Sequence, residues 1–305
     1  MKAHRIGAVQ AEPIWYDLEA TVDKTLTLID AGADQGVQQI AFPELWLPGY
    51  PLFLFATTAF QELPYVLRYR ANSTSVDSAQ MLRIRRHAKS RGIHVALGYS
   101  ERAGRSLYMS QCVIDDRGGV VLNRRKLKPT HVERILFGQG DGSDLQVVDT
   151  SLGRVGALNC AENMQSLSNF ALASQHEEIR IASWPPLGWF GGAGLSGPST
   201  AALNQSNAMS AGLFVVMSTQ IVSADGTADH DPAITFTGGG FARVFGPDTS
   251  LLSDVLAPDE EGVVVADVDT HTVEVMSHYF DPVGHYGRPD VFSFSVNSGT
   301  AARRD

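Results

Sequence analysis

Residues 107–127, "LYMSQCVIDDRGGVVLNRRKL", read as two strands joined at Asp116-Arg117-Gly118-Gly119, which is a hairpin signal. Residues 145–160, "LQVVDTSLGRVGALNC", repeat the pattern around Ser151-Leu152-Gly153. Strands joined this tightly run antiparallel. Away from the hairpins, strands alternate with amphipathic helices. "HRIGAVQ" (4–10) is a first strand, and "LEATVDKTLTLIDAGADQG" (18–36) a helix with Leu18, Val22, Leu26 and Ile29 on one face. "VQQIAFPE" (37–44) is a second strand, stopped near Pro43, followed by the helix "VDSAQMLRIRRHAKSRG" (76–92) and the strand "IHVALGYSE" (93–101). Beyond the second hairpin, "ENMQSLSNFALASQHE" (162–177) reads as helix, "IRIASWP" as strand, "STAALNQSNAMSAG" as helix and "LFVVMSTQ" as strand, and "GVVVADVD" closes the series. This is an α/β chain whose hairpins fit a doubly wound parallel sheet badly. A mixed sheet, or a pair of sheets flanked by helices, fits better.

With 305 residues, 44% hydrophobic and 19% charged, the chain has apolar material for a sizeable core. A formal net charge of −9 argues against nucleic acid or an anionic membrane as partner. Two cysteines cannot build a disulfide framework, so a cytoplasmic location is expected. The start, "MKAHRIGAVQAEP", lacks a signal-peptide pattern, and no apolar stretch reaches the roughly 18 residues a membrane span needs. No linker or repeat appears, so residues 1–305 read as one domain, with a core over about 5–291 and a polar, loose tail, "VNSGTAARRD".

Candidate chemistry sits at strand ends, where a rigid sheet fixes positions. Cys160 follows the apolar run "VGAL" at a strand-to-helix junction, and a helix N-terminus stabilises thiolate, the nucleophilic form. Cys112, inside a strand with no charged neighbour, reads as a core thiol. Glu44 ends an apolar strand, with Trp46 and Tyr50 close behind, and such surroundings raise a carboxyl pKa towards that of a general base. Lys126 lies in "NRRKLKPTHVER", which taken alone also reads as a solvated basic turn. The nine histidines are scattered, and no CxxC, HxH, HExxH or GxxxxGK[ST] motif occurs, which disfavours metal and P-loop readings.

Taken together, these segments resemble the nitrilase superfamily and, within it, the nitrilase branch. "FPELWLPGYP" resembles the segment carrying the family's base, at Glu44, and "RRKLKPTHVER" the one carrying its lysine, at Lys126, with a supporting glutamate at Glu133. "FGQGDGSDLQVVDTSLGRVGALNCAEN" resembles the stretch leading to the nucleophile, Cys160, and "DPVGHYGRPDV" (281–291) a C-terminal nitrilase segment. The resemblance implies a four-layer αββα sandwich. It also implies a Glu-Lys-Cys triad hydrolysing a nitrile to the acid and ammonia through a thioimidate and a thioester, with amide as a possible by-product. No metal or organic cofactor is implied. The implied partners are a small nitrile and a second copy of the chain, with dimers building larger homo-oligomers.

The chain also departs from the family pattern. Ala161 stands where many members carry Trp, Asn163 where many carry His, and Ser166 where many carry Pro. A small residue beside the nucleophile points to bulky aryl or arylaliphatic nitriles of the arylacetonitrile type, unless Trp184 or Trp189 refills the space. Trp46, Tyr50, Ala161, Trp184 and Pro185 are the expected substrate-binding residues, the aromatic run 50–69 is a candidate pocket wall, and residues 183–198 a candidate loop over the site. Rival readings are an amidase or carbamoylase, a cyanide-degrading enzyme, or a non-catalytic assembly-forming relative.

Overall fold

The computed structural model describes residues 3–58, 60–188, 195–226 and 236–299. Twelve strands occur among these residues. They are β1 (Ala3–Ala11), β2 (Gln39–Ala41), β3 (His94–Ala103), β4 (Ser106–Ile114), β5 (Val120–Arg125), β6 (Phe137–Gly138), β7 (Val147–Thr150), β8 (Gly153–Asn159), β9 (Ile179–Trp184), β10 (Phe214–Gln220), β11 (Arg243–Phe245) and β12 (Gly262–Asp269). The helices are α1 (Leu18–Asp34), α2 (Phe53–Ala56), α3 (Leu63–Ala71), α4 (Ala79–Arg91), α5 (Glu133–Leu136), α6 (Ser166–Ala173), α7 (Gly197–Ala211) and α8 (His271–Tyr279).

The strands are linked in the order β5-β4-β3-β2-β1-β10-β9-β8-β7, with β12 on β1, β11 on β10 and β6 on β4. β1 pairs with β12 over Ala3–Gln10 but with β10 only at Gln10 and Ala11. The sheet is therefore two halves that separate along most of β1 and meet at its last two residues. Ile6, Ala8, Val113 and Leu122 from one half pack against Val155, Ile181 and Val216 from the other. α1 and α4 cover the outer face of the first half through Val22, Ile29, Met81 and Ile84. α7 covers the second through Ala208, against Val215 and Met217. The result is the expected αββα sandwich, and residue alternation explains it: each strand presents one apolar row inward and the next outward.

Both expected hairpins form, β4–β5 and β7–β8, and β3–β4 makes a third, closing at Ala103 and Ser106. The helix expected over 162–177 is instead a 3-10 turn, Cys160–Met164, followed by the short α6. Glu162 explains the change, because its carboxylate turns back to accept the Asn159 N–H and so tightens the chain. Phe294 packs edge-on against Phe170, and the Asn297 carbonyl lies so close to Gly142 that a Cβ there would be 1.9 Å from it. Residues 300–305 lie outside the described residues.

A close backbone approach places the segment after β2. A Cβ on Gly98 of β3 would sit 2.3 Å from the Pro43 carbonyl oxygen and 3.0 Å from the Glu44 Cα. Gly98→Ala must push the Glu44 segment off the sheet, and a loss of about 1–3 kcal/mol, the usual cost of overpacking, is expected in chemical denaturation. An unchanged midpoint would show that the segment has slack.

Candidate active site

Glu44, Lys126, Glu133 and Cys160 are all buried. Each is delivered by a different element at the end of the sandwich where the two halves join. Glu44 follows β2, on a segment held by Phe42 N–H to the Ala96 carbonyl and Leu47 N–H to the Gly98 carbonyl. Gln220, at the joining end of β10, donates to the Glu44 carbonyl at 2.6 Å and accepts from the Tyr50 N–H at 3.3 Å. Lys126 is the first residue after β5. Its N–H donates to the Met109 carbonyl and its carbonyl accepts from Gly140. Glu133 opens α5.

The Lys126 ammonium lies between two carboxylates, 2.9 Å from Glu44 Oε1 and 2.8 Å from Glu133 Oε2. Glu133 also accepts from the Thr130 N–H and, at 2.7 Å, from the Tyr50 hydroxyl. Burial alone would pull the lysine down, but Glu133 and Glu44 reverse this and hold it above its ordinary range. Burial raises Glu44 to about 8. The charges on Glu133 and Glu162 add to the rise and Lys126 opposes it. Its second oxygen, Oε2, is buried with no protein partner.

Cys160 takes a left-handed φ of 44°, unusual for a residue with a side chain, at the start of the 3-10 turn. Its carbonyl accepts from the Asn163 side-chain amide at 3.1 Å. Burial and then the charge on Glu44 push its thiol well above the ordinary range, with Lys126 pulling the other way. This corrects the expectation of a helix N-terminus at the thiol: no α-helix begins at Cys160, and burial favours the neutral thiol. Cys112 is pushed by burial to about 12, as a core thiol should be.

Of the expected substrate-binding residues, Trp46 does not reach this region. Its indole N–H donates to Thr25 Oγ1 at 2.8 Å and its ring lies in the core beneath α1 and α4. Leu45 has a φ of 49° and Gly49 one of 110°, so the chain between them turns sharply and ordinary strand alternation does not predict which face each residue takes. Tyr50 is at the site, but its hydroxyl is committed to Glu133 and its ring stacks on Phe55. Trp184 shares a buried cluster with Cys160 and Leu187, with Ala161 packed against it. The Trp184 indole N–H is buried without a partner, and Pro185 is buried beside it. Trp189 lies outside the described residues.

Sequence reasoning missed Gly98, Gln220 and the buried pair Arg124–Glu162, whose oxygens and nitrogens meet at 2.6 and 2.8 Å. The acid two residues after Cys160 and the arginine two before Lys126 were the available signal. The role of Tyr50 as a donor gave none.

Tyr50→Phe removes that donor and leaves one oxygen of Glu133 buried and unpaired. A loss of about 1–3 kcal/mol is expected in denaturation, the cost of an unsatisfied buried acceptor. Burial holds the Tyr50 phenol well above its ordinary range, so the loss should be the same from pH 6 to 9. A loss confined to one end of that range would mean that the hydroxyl is not the donor.

The Carbon-nitrogen hydrolase family matches residues 5–277. A bromoxynil-specific nitrilase of Klebsiella pneumoniae subsp. ozaenae is 50% identical over 298 residues, covering 96% of this chain and 85% of that protein. An arylacetone-specific nitrilase of Alcaligenes faecalis is 42% identical, covering 98% and 86%. An aliphatic nitrilase of Rhodococcus rhodochrous is 41% identical, covering 96% and 82%. Among solved structures, the C. elegans NitFhit protein superposes with a TM-score of 0.76 at 16% identity, over 97% of this chain and 67% of that one. An amidase from Nesterenkonia sp. AN1 does so with a TM-score of 0.66 at 17% identity, over 91% and 97%. Likeness at such low identity bears on the fold, whereas the close relatives bear on the branch: this chain belongs to the carbon-nitrogen hydrolase family, in its nitrilase branch.

Proposed function

We propose that the protein hydrolyses an aryl or arylaliphatic nitrile to the carboxylic acid and ammonia, with Cys160 as nucleophile, Glu44 as general base, Lys126 as electrostatic stabiliser and Glu133 as its support. The observation that carries this reading is the unpaired Glu44 Oε2, a buried acceptor on a carboxylate whose other oxygen is anchored to Lys126. A general base needs a free lone pair and a pKa near the working pH, and Glu44 has both.

Because burial favours the neutral thiol, attack and proton transfer are coupled. The sulfur–carbon bond forms as the thiol proton passes to Glu44 and on to the nitrile nitrogen, giving a thioimidate. The Lys126 ammonium stabilises negative charge developing at that nitrogen. A water then gives a proton to Glu44 and adds to the thioimidate carbon. Glu44 returns that proton to the nitrogen and relays the hydroxyl proton after it, so the carbon–nitrogen bond breaks, ammonia leaves and a thioester remains, which a second water converts to acid and free thiol. If the carbon–sulfur bond breaks first, the product is the amide.

The small Ala161 beside the nucleophile supports a bulky ring, and Trp184, in the cluster that Ala161 packs against, is the side chain that sets how much room is left. The relatives named for bromoxynil and for arylacetone substrates agree with that, and the aliphatic relative makes the choice worth testing. Phenylacetonitrile, mandelonitrile, bromoxynil and an aliphatic nitrile should be offered to wild type and Cys160→Ala, with acid, amide and ammonia quantified. Acid with equimolar ammonia from an aryl substrate, abolished in the variant, is expected. Preference for the aliphatic nitrile would overturn the pocket assignment, and turnover of amides alone would overturn the nitrile reading. Since Glu44 must be ionised to accept a proton, kcat/KM should rise as pH passes through about 8. A flat profile from pH 6 to 9 would remove Glu44 as the base.

We also propose that two copies pair through α6 and α7, in a reducing, cytoplasmic setting. Met164 just before α6, Leu167 on α6 and Met209 on α7 are large apolar side chains left 51%, 71% and 61% exposed, which supports a partner surface on these helices. Leu167→Glu should convert dimer to monomer in sedimentation velocity. An unchanged mass would place the contact elsewhere.

A further inference from the structure

The nucleophile turn and the lysine-bearing strand belong to opposite halves of the sandwich. β8 leads into Cys160 and β5 leads into Lys126. One buried carboxylate fastens them together. Glu162, two residues after Cys160, accepts from Arg124 Nη1 at 2.8 Å and Nη2 at 2.6 Å, and Arg124 is two residues before Lys126. The same carboxylate accepts from the Asn159 N–H at 2.9 Å and the Leu127 N–H at 2.8 Å. Its donors thus lie on either side of Lys126 and immediately before Cys160. Arg124 Nε donates to the Asp144 carbonyl at 3.0 Å, which fixes the guanidinium plane from a third segment.

Both side chains of the pair are completely buried. Two parallel N–H···O bonds fix rotation as well as distance, which a single ammonium–carboxylate contact does not. Stability alone is a poor reason for such a pair, because an apolar pair of equal volume usually serves as well or better. Reaction geometry is a better one, since displacing a catalytic group by about 1 Å can cost roughly 100-fold in rate. We propose that Arg124 and Glu162 are positioning residues that set Cys160 against Lys126. The inference rests on the reading above, in which those two residues act on one substrate.

The test uses Arg124→Lys, Glu162→Gln and the double variant Arg124→Gln/Glu162→Gln, which leaves no lone buried charge. Arg124→Lys keeps the charge but cannot make the two parallel bonds. Turnover of the best nitrile, the denaturation midpoint, and the pH dependence of Cys160 alkylation by iodoacetamide, read on the Cys160 peptide, are measured for each. The expected result for folded Arg124→Lys is a kcat lower by about 10- to 100-fold, with KM within about threefold of wild type. Glu162→Gln should also shift the alkylation profile to lower pH. Glu162 faces Arg124 and its charge reaches Glu44, while Cys160 lies in the field of Glu44, Lys126 and Glu133, so losing a negative charge two residues from the thiol eases ionisation of these acids. Wild-type kcat in Arg124→Lys overturns the proposal. So does an activity loss that only tracks the folded fraction, and so does failure of all three variants to fold, which would make the pair a folding element. If wild type turns over no nitrile, the proposed function fails instead, while the alkylation profiles still report whether the pair governs Cys160.

Discussion

Everything at this site depends on keeping one ammonium ion dry. Lys126 has no exposed surface, and an unpaired charge there would cost several kcal/mol. Two carboxylates bracket it, and each must in turn be held. Tyr50 and the Thr130 N–H hold Glu133, while the main chain of Glu44 is gripped by Gln220 and seated against Gly98. Burial, more than the charges around them, makes Glu44 and Cys160 hold their protons more readily than in water. In the proposed reaction, proton exchange inside the cluster takes the place of a thiolate held in waiting.

The backbone twist at Cys160 belongs to the same design. A left-handed residue directly after a strand swings the side chain out of the strand's alternation and turns the chain into a 3-10 turn rather than an α-helix. Holding that conformation takes outside support, which the Asn163 side chain and Glu162 provide. Asn163 stands where many relatives carry histidine, and here its amide donates to the Leu158 and Cys160 carbonyls.

Much of this was legible from the chain. Period-two patterns with turn residues between them gave the hairpins, and the helical spacing of Val22, Ile29, Met81 and Ile84 gave the layer over the first half. The acid and the thiol stood out because each ends an apolar run, whereas the lysine, in a basic stretch, stood out only through the resemblance of its segment to the family's. The side of the sheet on which Trp46 falls was not legible, because it depends on the left-handed turn at Leu45. Nor was the Tyr50 bond to Glu133, made across 83 residues, or the pairing of Arg124 with Glu162 across 38. Such contacts are set by how the two halves dock, and a local pattern carries no record of that.

The pairing of β1 with β12 has a consequence for how the chain acquires its activity. Ala3 lies opposite Asp269, so β1 waits for a strand synthesised long after it. Pairing across such a sequence separation is entropically expensive and slow. During synthesis β1 would have β2 beside it but an open edge on the other flank, where β12 and β10 belong. An open edge of that kind invites pairing with another chain, so the nascent protein passes through an aggregation-exposed stage until residue 269 has emerged. The Gln220 contact to Glu44 forms only when β10 docks on the end of β1, so the catalytic end of the sandwich is completed late in folding.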